Sequence, residues 1–525
     1  MQRIPKSGFV VAAAIILFVI SALSALLLYT PEVRFSQYWN DGYYRHVTYF
    51  SFYQAFLSML ISVSLAIPVA HALSRRQFFA KAFLLKVFSI TLVLPVLVGV
   101  FGLLAIYGNS GLVADLFQWL ERELPFSIYG LNGILLAHVF FNLPYASRLL
   151  YQSLETIPEQ QHKLCAHLGM SHWDKFRLVE WPRLRQQLPH VCGLVFMLCF
   201  TSFATVMALG GGPRSTTIEL AIYQAIKFDF DLQAGAVLAL WQMLLCALLS
   251  FSIQRMAKHT PLISQRCDNP LAVTKDSRRA RLWDGFWIVS AVILVIPPLV
   301  MVFISGLNSS LFDVLSDSEF WLSVRASFTI ALMAAVLALM AGVAIINSSR
   351  SLRMAEKGRT ADSIELSGAI ILVTPGLVIS VGLFLLLRDV ADVFQLAGVI
   401  VVLVNALMAL PYVIKTLSQP MLHIAQQYQL LSASLGMKGL SRFRLIEWRA
   451  LHKPMAHAFA ISFMLSIGDI SAIALFGSQD FKTLPLYLFQ LLGSYQMDAA
   501  AVVSLTLLLL SLSCFALIER FFRRR

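Results

Sequence analysis

Residues able to do chemistry are few in this chain, and they fall in two kinds of place. The six cysteines (Cys165, Cys192, Cys199, Cys246, Cys267, Cys514) form no CxxC and keep no paired spacing with histidine. Most sit in apolar stretches, where free cysteine packs as a small hydrophobe, so they outline neither a disulfide framework nor a metal site. The run Gly210-Gly211-Gly212 leads into Pro213-Arg214 and not into the lysine of a phosphate-binding loop, so ATP has no site of that kind here. No H-E-x-x-H, nucleophile elbow or outer-loop carboxylate cluster offers enzyme chemistry. What remains inside apolar runs is isolated: Asp469, Arg325, His138, Asn142 and Asn405. Such groups are costly in lipid and must face protein or water. Asp469, Asn142 and Asn405 are therefore candidates to line a translocation path, with interhelical hydrogen bonding the alternative role.

The second kind of place is a polar block written twice. Leu168-Gly169-Met170 is followed by Phe176-Arg177-Leu178-Val179-Glu180-Trp181, then Pro182. Leu435-Gly436-Met437 is followed by Phe443-Arg444-Leu445-Ile446-Glu447-Trp448, at a constant offset of 267. Leu143-Pro144-Tyr145 and Leu410-Pro411-Tyr412 share that offset, which marks a tandem duplication. Each block reads as helix, glycine stop and second helix, because glycine alone adopts the left-handed cap conformation without penalty. Ser171 and Asp174 have capping-box-like spacing in the first copy only. Phe176 with Val179, and Phe443 with Ile446, give each second helix an apolar edge, with Arg177, Glu180, Arg444 and Glu447 expected on its polar flank. A short amphipathic helix of this kind lies on a membrane or inserts into a groove on a partner.

The elements that must position these residues are membrane spans. The chain is 58% hydrophobic and 13% charged, with a mean hydropathy of +0.74. So little charge cannot cover a soluble globule of 525 residues. At about 20 apolar residues per crossing, twelve spans are expected, near 9–29, 50–73, 87–108, 127–150, 190–210, 234–254, 284–306, 323–347, 367–387, 395–414, 456–476 and 499–519. The first is longer than a signal-peptide core and reads as a retained helix. Most of the 41 Lys and Arg then fall on one side, which puts both termini in the cytoplasm. The net charge of +13 follows from that placement and calls for no nucleic-acid partner. Segment 255–283, with seven basic residues and no apolar period, reads as a cytoplasmic linker between residues 1–254 and 284–525.

The duplicated block resembles the EAA loop of ABC-type permeases: EAA, three residues, Gly, nine residues, then I-x-LP. Gly169 to Pro182 keeps that spacing, with Val179 at the Ile place and Trp181 at the Leu place. Lys163-Leu164-Cys165 and Leu430-Leu431-Ser432 stand where EAA would be, and Arg449 replaces the second proline. Phe141-Asn142-Leu143-Pro144, Phe203-Ala204-Thr205-Val206, Gly210 to Pro213, Thr216 to Gln224 and Leu465 to Asp469 are similar to the permeases of thiamine importers. These belong with the fused twelve-span permeases that also include ferric-iron importers. The resemblance implies an all-α polytopic protein of two tandem six-helix type-1 halves in the bacterial inner membrane. It also implies import of thiamine and its phosphates, with a periplasmic binding protein and a separate ATPase dimer that uses the ATP. The loops at about 155–189 and 420–455 would then couple to that ATPase, and this chain would bind no cofactor or metal. Ferric iron is the alternative cargo. An ion-coupled secondary transporter would need more ionisable groups inside the membrane and would leave the twin loops without a role.

Cysteines placed at 120 and 310, in a background without the native six, should react with an impermeant thiol reagent in intact cells. Those at 175 and 442 should not. Labelling of the second pair would invert the orientation.

Overall fold

A computed structural model describes residues 5–29, 40–91, 93–122, 125–256, 277–372, 374–388, 392–437, 441, 443–478 and 481–523. Among them every regular element is helical, with no strand. The N-terminal portion of the chain contains α1 (Ser7–Leu28), α2 (Gly42–Arg75), α3 (Lys81–Ile90), α4 (Val96–Tyr107), α5 (Leu112–Trp119) and α6 (Leu131–Glu155). It continues through α7 (Glu159–His167), α8 (His172–Lys175), α9 (Trp181–Phe200), α10 (Phe203–Leu209), α11 (Ile218–Lys227) and α12 (Leu232–Met256). The C-terminal portion contains α13 (Arg278–Gly306), α14 (Leu311–Ser316), α15 (Ser318–Met354), α16 (Gly358–Ala369), α17 (Gly376–Leu387) and α18 (Val393–Ser434). It ends with α19 (Trp448–Ile467), α20 (Ser471–Phe476), α21 (Leu484–Gly493) and α22 (Met497–Arg523).

Among the described residues ten helical stretches are long and apolar enough to cross a membrane, and α9 with α10, bent by 52°, makes an eleventh if counted as one span. The expected span at 367–387 is instead divided, leaving α17 with 12 residues. The cause is Pro375, whose extended backbone (φ −55°, ψ 144°) starts α17 and cannot continue α16. Pro95 (φ −52°, ψ 125°) does the same between α3 and α4, inside the expected span at 87–108. Pro68, Pro144 and Pro411, by contrast, lie within continuous helices. The linker expectation also shifts. Ser277 accepts a hydrogen bond from the Ala280 N–H and caps α13, so Arg278, Arg279 and Arg281 belong to a helix. Residues 257–276 of that linker lie outside the described residues.

The first helix of each portion packs on the other portion. α1 lies against α15 and α17, and α13 lies against α2 and α4. Both contacts are close enough to need glycine. A Cβ on Gly382 of α17 would come 2.4 Å from the Ala22 carbonyl oxygen of α1, and one on Gly102 of α4 would come 2.4 Å from that of Pro298 on α13. Polar contacts fasten the same helices near their starts. The Gly8 N–H donates to the buried Ser348 hydroxyl at 3.0 Å. Asp284, fully buried, takes Arg76 at 2.5 Å and Arg75 at 3.7 Å.

Gly102→Leu and Gly382→Leu should each lower the thermal unfolding midpoint of the purified chain, by the equivalent of about 1–3 kcal/mol of overpacking. Gly285→Ala, whose added methyl meets nothing within 4 Å, should not. Equal midpoints for all three would show that the close approaches carry no stability.

Candidate functional site

The first polar block begins where α7 stops. Gly169 has φ +61°. Its N–H donates to the Ala166 carbonyl at 3.1 Å, and the Met170 N–H donates to that of Cys165 at 3.1 Å. This pair of bonds is a Schellman cap, which closes the helix and turns the chain. The second block repeats it: Gly436 has φ +61° and the Met437 N–H reaches the Ser432 carbonyl at 2.9 Å. A Cβ at either glycine would meet nothing within 4 Å, so only the backbone angle demands glycine. The Ser171 hydroxyl accepts the Asp174 N–H at 3.2 Å and starts α8 as its spacing suggests. Lys438, at the matching place, lies outside the described residues.

Next comes a π-helical turn, Phe176–Glu180, and its copy Phe443–Glu447. Such wide turns swing side chains off the α-helical stripe. Glu180 and Glu447 are accordingly not on a polar flank: both are buried and turned inward. Glu180 accepts from His71 Nε2 at 2.9 Å and pairs with Lys175 at 3.3 Å. Glu447 accepts from Arg350 at 2.8 Å. His71 is on α2 and Arg350 on α15, so each carboxylate anchors its loop to the end of a long span. Burial, then the Lys175 ammonium, lowers the His162 imidazole below its ordinary value of 6.5, against the opposing pull of Glu180 and Glu159.

Phe176 is half-buried, edge-on to His71 and beside Trp173 and Trp181. Trp181 is half-buried too, whereas Arg177, Pro182, Arg444 and Trp448 are exposed. The side chain of Phe443 lies outside the described residues. The exposed apolar surface of these loops is made largely by leucines that keep the 267 offset. They are Leu164 and Leu431, Leu168 and Leu435, Leu178 and Leu445, each at least half exposed. The repeat alignment contained that signal, hidden because Leu164 and Leu431 fall in the departures from the EAA pattern.

The three pathway candidates all have protein partners. Asn142 donates to the His138 carbonyl at 2.9 Å and to Cys199 Sγ at 3.3 Å. Asn405 donates to the Ser466 hydroxyl at 3.0 Å, and position 405 is His138 shifted by 267. Asp469 caps α20: it accepts from the Ser471 hydroxyl at 2.9 Å and from the Ser471 and Ala472 N–H groups. The sequence alone does not single out Glu219, a buried carboxylate on α11 within electrostatic range of Asp469. Nor does it single out Lys227, whose ammonium donates to the Leu475 and Gly477 carbonyls at 3.4 and 3.1 Å. Cation and helix C-terminus attract, so α11 is held to α20. The start of α11 is fixed by the Ser51 hydroxyl, which accepts the Ile218 N–H at 2.9 Å; Ser327 takes the Leu484 N–H at 2.7 Å for α21. Among the described residues no three His, Cys, Asp or Glu side chains group as metal ligands.

Twin capped loops tied to the ends of long apolar helices, with a broken-helix interior, define a membrane translocation component. The chain belongs to the family described as binding-protein-dependent transport system inner membrane component, which matches residues 52–259 and 351–525. Within it, the chain is 48% identical over 516 residues to the thiamine transport system permease protein ThiP of Salmonella typhimurium, covering 98% of this chain and 96% of that one. The protein of the same name from Escherichia coli is 47% identical over 517 residues, with the same coverage. The Fe(3+)-transport system permease protein FbpB 2 of Haemophilus influenzae is 24% identical over 456 residues, covering 86% of this chain and 85% of that one.

Gly169→Val and Gly436→Val should leave the protein in the membrane and cut transport sharply, since a β-branched residue resists positive φ. Asn at either place should retain more transport, because it tolerates that region. The two copies should differ in severity, as only the first has Pro182. Normal uptake by both valine variants would remove the loops from the mechanism.

Proposed function

We propose that the chain is the permease subunit of an ATP-driven importer that carries thiamine and its phosphates into the cytoplasm. The observation that carries this reading is the likeness to relatives named for thiamine transport, sustained over 98% of the chain. A periplasmic binding protein delivers the cargo, and a separate ATPase dimer receives the exposed leucines of the two loops. Gly169, Phe176, Arg177, Glu180, Trp181 and Pro182, with Gly436, Phe443, Arg444, Glu447 and Trp448, form these coupling elements. Residues 1–254 and 284–525 are two six-span halves, the broken α16–α17 segment counting as one span, joined by 255–283, whose last residues already form the start of α13, with both termini cytoplasmic. The reciprocal packing of α1 and α13, the twin caps and the twin serine contacts support that division. So do Tyr145 and Tyr412, equivalent at the 267 offset, which lie within electrostatic range of each other as residues beside a two-fold axis would.

A path along that axis suits a thiazolium cation. Tyrosine faces attract cations, although the Arg148 guanidinium is also within electrostatic range of Tyr145; Glu219 and Asp469 add two acidic groups in range of each other. Ferric iron would call for a cluster of hard oxygen ligands, and the described residues offer no such group.

Deleting the gene in its host should abolish accumulation of radiolabelled thiamine and leave ferric-iron uptake intact; the opposite pattern would transfer the chain to iron transport. Asp469→Asn keeps a capping oxygen while removing the charge, so it should lower thiamine uptake at unchanged protein level. Loss of the protein itself would make Asp469 a structural residue only.

A further inference from the structure

A groove of 780 Å³ opens between α15 and α18, within the size range of sites that enclose a small ligand. Its walls are apolar, with Leu322, Met333, Leu337, Val399, Val402 and Phe481 among them. Leu322, Met333 and Val399 are more than half exposed, so the groove is open along the helices' outer surface. One end is different. Arg325 and Lys482, 157 residues apart in sequence, both line it, together with Glu319. Lys482 pairs with Glu319 at 3.0 Å and its side chain is 13% exposed. Arg325 is exposed, and its guanidinium has no partner among the described residues. Lys482 is thus matched by Glu319, and Asp317 close by accepts from the Tyr487 hydroxyl over whose ring Lys482 lies, so the charge left without a partner among the described residues is that of Arg325.

That charge stands where a membrane protein has reason to avoid it. Arg325 lies seven residues into α15, about 10 Å below the helix start at about 1.5 Å per residue. The loop before α15 and the one holding Lys482 are on the side that the Lys/Arg bias assigns to the outside, where basic residues are scarce. A helical side chain leans toward its N-terminus, which brings the guanidinium toward headgroup level. From Arg325 to Leu337 the groove follows about 18 Å of helix, close to the roughly 15 Å hydrocarbon depth of one leaflet.

We propose that this groove is a binding site for one phospholipid with a net-anionic headgroup. Its phosphate sits against Arg325 and Lys482, and one acyl chain lies along Met333, Leu337, Val399 and Val402. The unpaired Arg325 guanidinium favours a headgroup without a compensating amine. Lipid held there would brace α15 against α18, and α15 is the helix that carries Arg350 to Glu447.

The test uses the purified full-length chain and native mass spectrometry, with phosphatidylglycerol and phosphatidylcholine offered at equal concentration. Phosphatidylglycerol should be retained about fivefold more, the factor that corresponds to one basic residue near the membrane surface. Arg325→Gln should erase that preference, and Glu319→Gln, by freeing Lys482, should increase it. Gly398→Leu should lower retention of both lipids, since a Cβ there meets only the Phe481 ring, at 3.5 Å, and the rest of the side chain fills the groove. Equal retention of the two lipids by the wild type, or an unchanged preference in Arg325→Gln with an unchanged melting midpoint, would overturn the proposal. So would full displacement of the lipid by inorganic phosphate at the same concentration, which would make this an anion site with no role for the acyl chain.

Discussion

The structure depends on two backbone contacts: α4 against α13 at Gly102 and Pro298, and α17 against α1 at Gly382 and Ala22. Between helices in lipid there is no hydrophobic driving force, because the lipid tails are as apolar as the side chains they would replace. Close packing of small residues and interhelical hydrogen bonds must supply the association instead. Each contact joins the first helix of one portion of the chain to a helix of the other. The two portions therefore interlock, and the buried Asp284 with its arginines, and Ser348 with Gly8, fasten that interlock near the helix starts. Removing one member of such a buried ion pair is strongly destabilising, by about 3–5 kcal/mol, since the other charge is left unpaired.

With the first helices fixed, α2 and α15 become the structural levers. α2 meets the polar loop through His71 and Glu180, and it meets the start of α11 through Ser51. The interval from Ser51 to His71 is 20 residues, about 30 Å of helix, roughly the thickness of the hydrocarbon core. α15 makes the matching pair of contacts, Arg350 with Glu447 and Ser327 with the Leu484 N–H. On both sides of the duplication a single continuous helix ties a polar loop at its far end to a short helix near its start. A shift imposed on the loop thus has a stiff route to the interior, through groups that hydrogen-bond and do not merely touch.

Much of this was legible in the sequence, for identifiable reasons. The duplication shows because polar blocks keep their spacing where lipid imposes no composition. The glycines show because a cap with positive φ accepts few alternatives. Proline alone did not distinguish a kink from a break: Pro144 and Pro411 sit inside helices, whereas Pro95 and Pro375 stand at the starts of new ones. Glu180 and Glu447 looked like surface residues because a 3.6-residue period places them there, and the π-turn that moves them inward has no compositional mark. Asp284 stood at the edge of the expected span 284–306, beside the basic linker, and nothing local marked it, since its partners Arg75 and Arg76 lie over 200 residues away. Asn142 and Asn405 were read with both roles open, and each proves to have an interhelical partner.

The interlock is the central claim, and dividing the chain tests it most directly. Residues 1–266 and 267–525, produced as separate chains in one cell and extracted in mild detergent, should co-purify one to one through an affinity tag on either piece. They should also restore thiamine uptake to cells lacking the gene. Two pieces that both insert in the membrane but purify apart would contradict the account, because helices exchanged between them could not then be what holds them together.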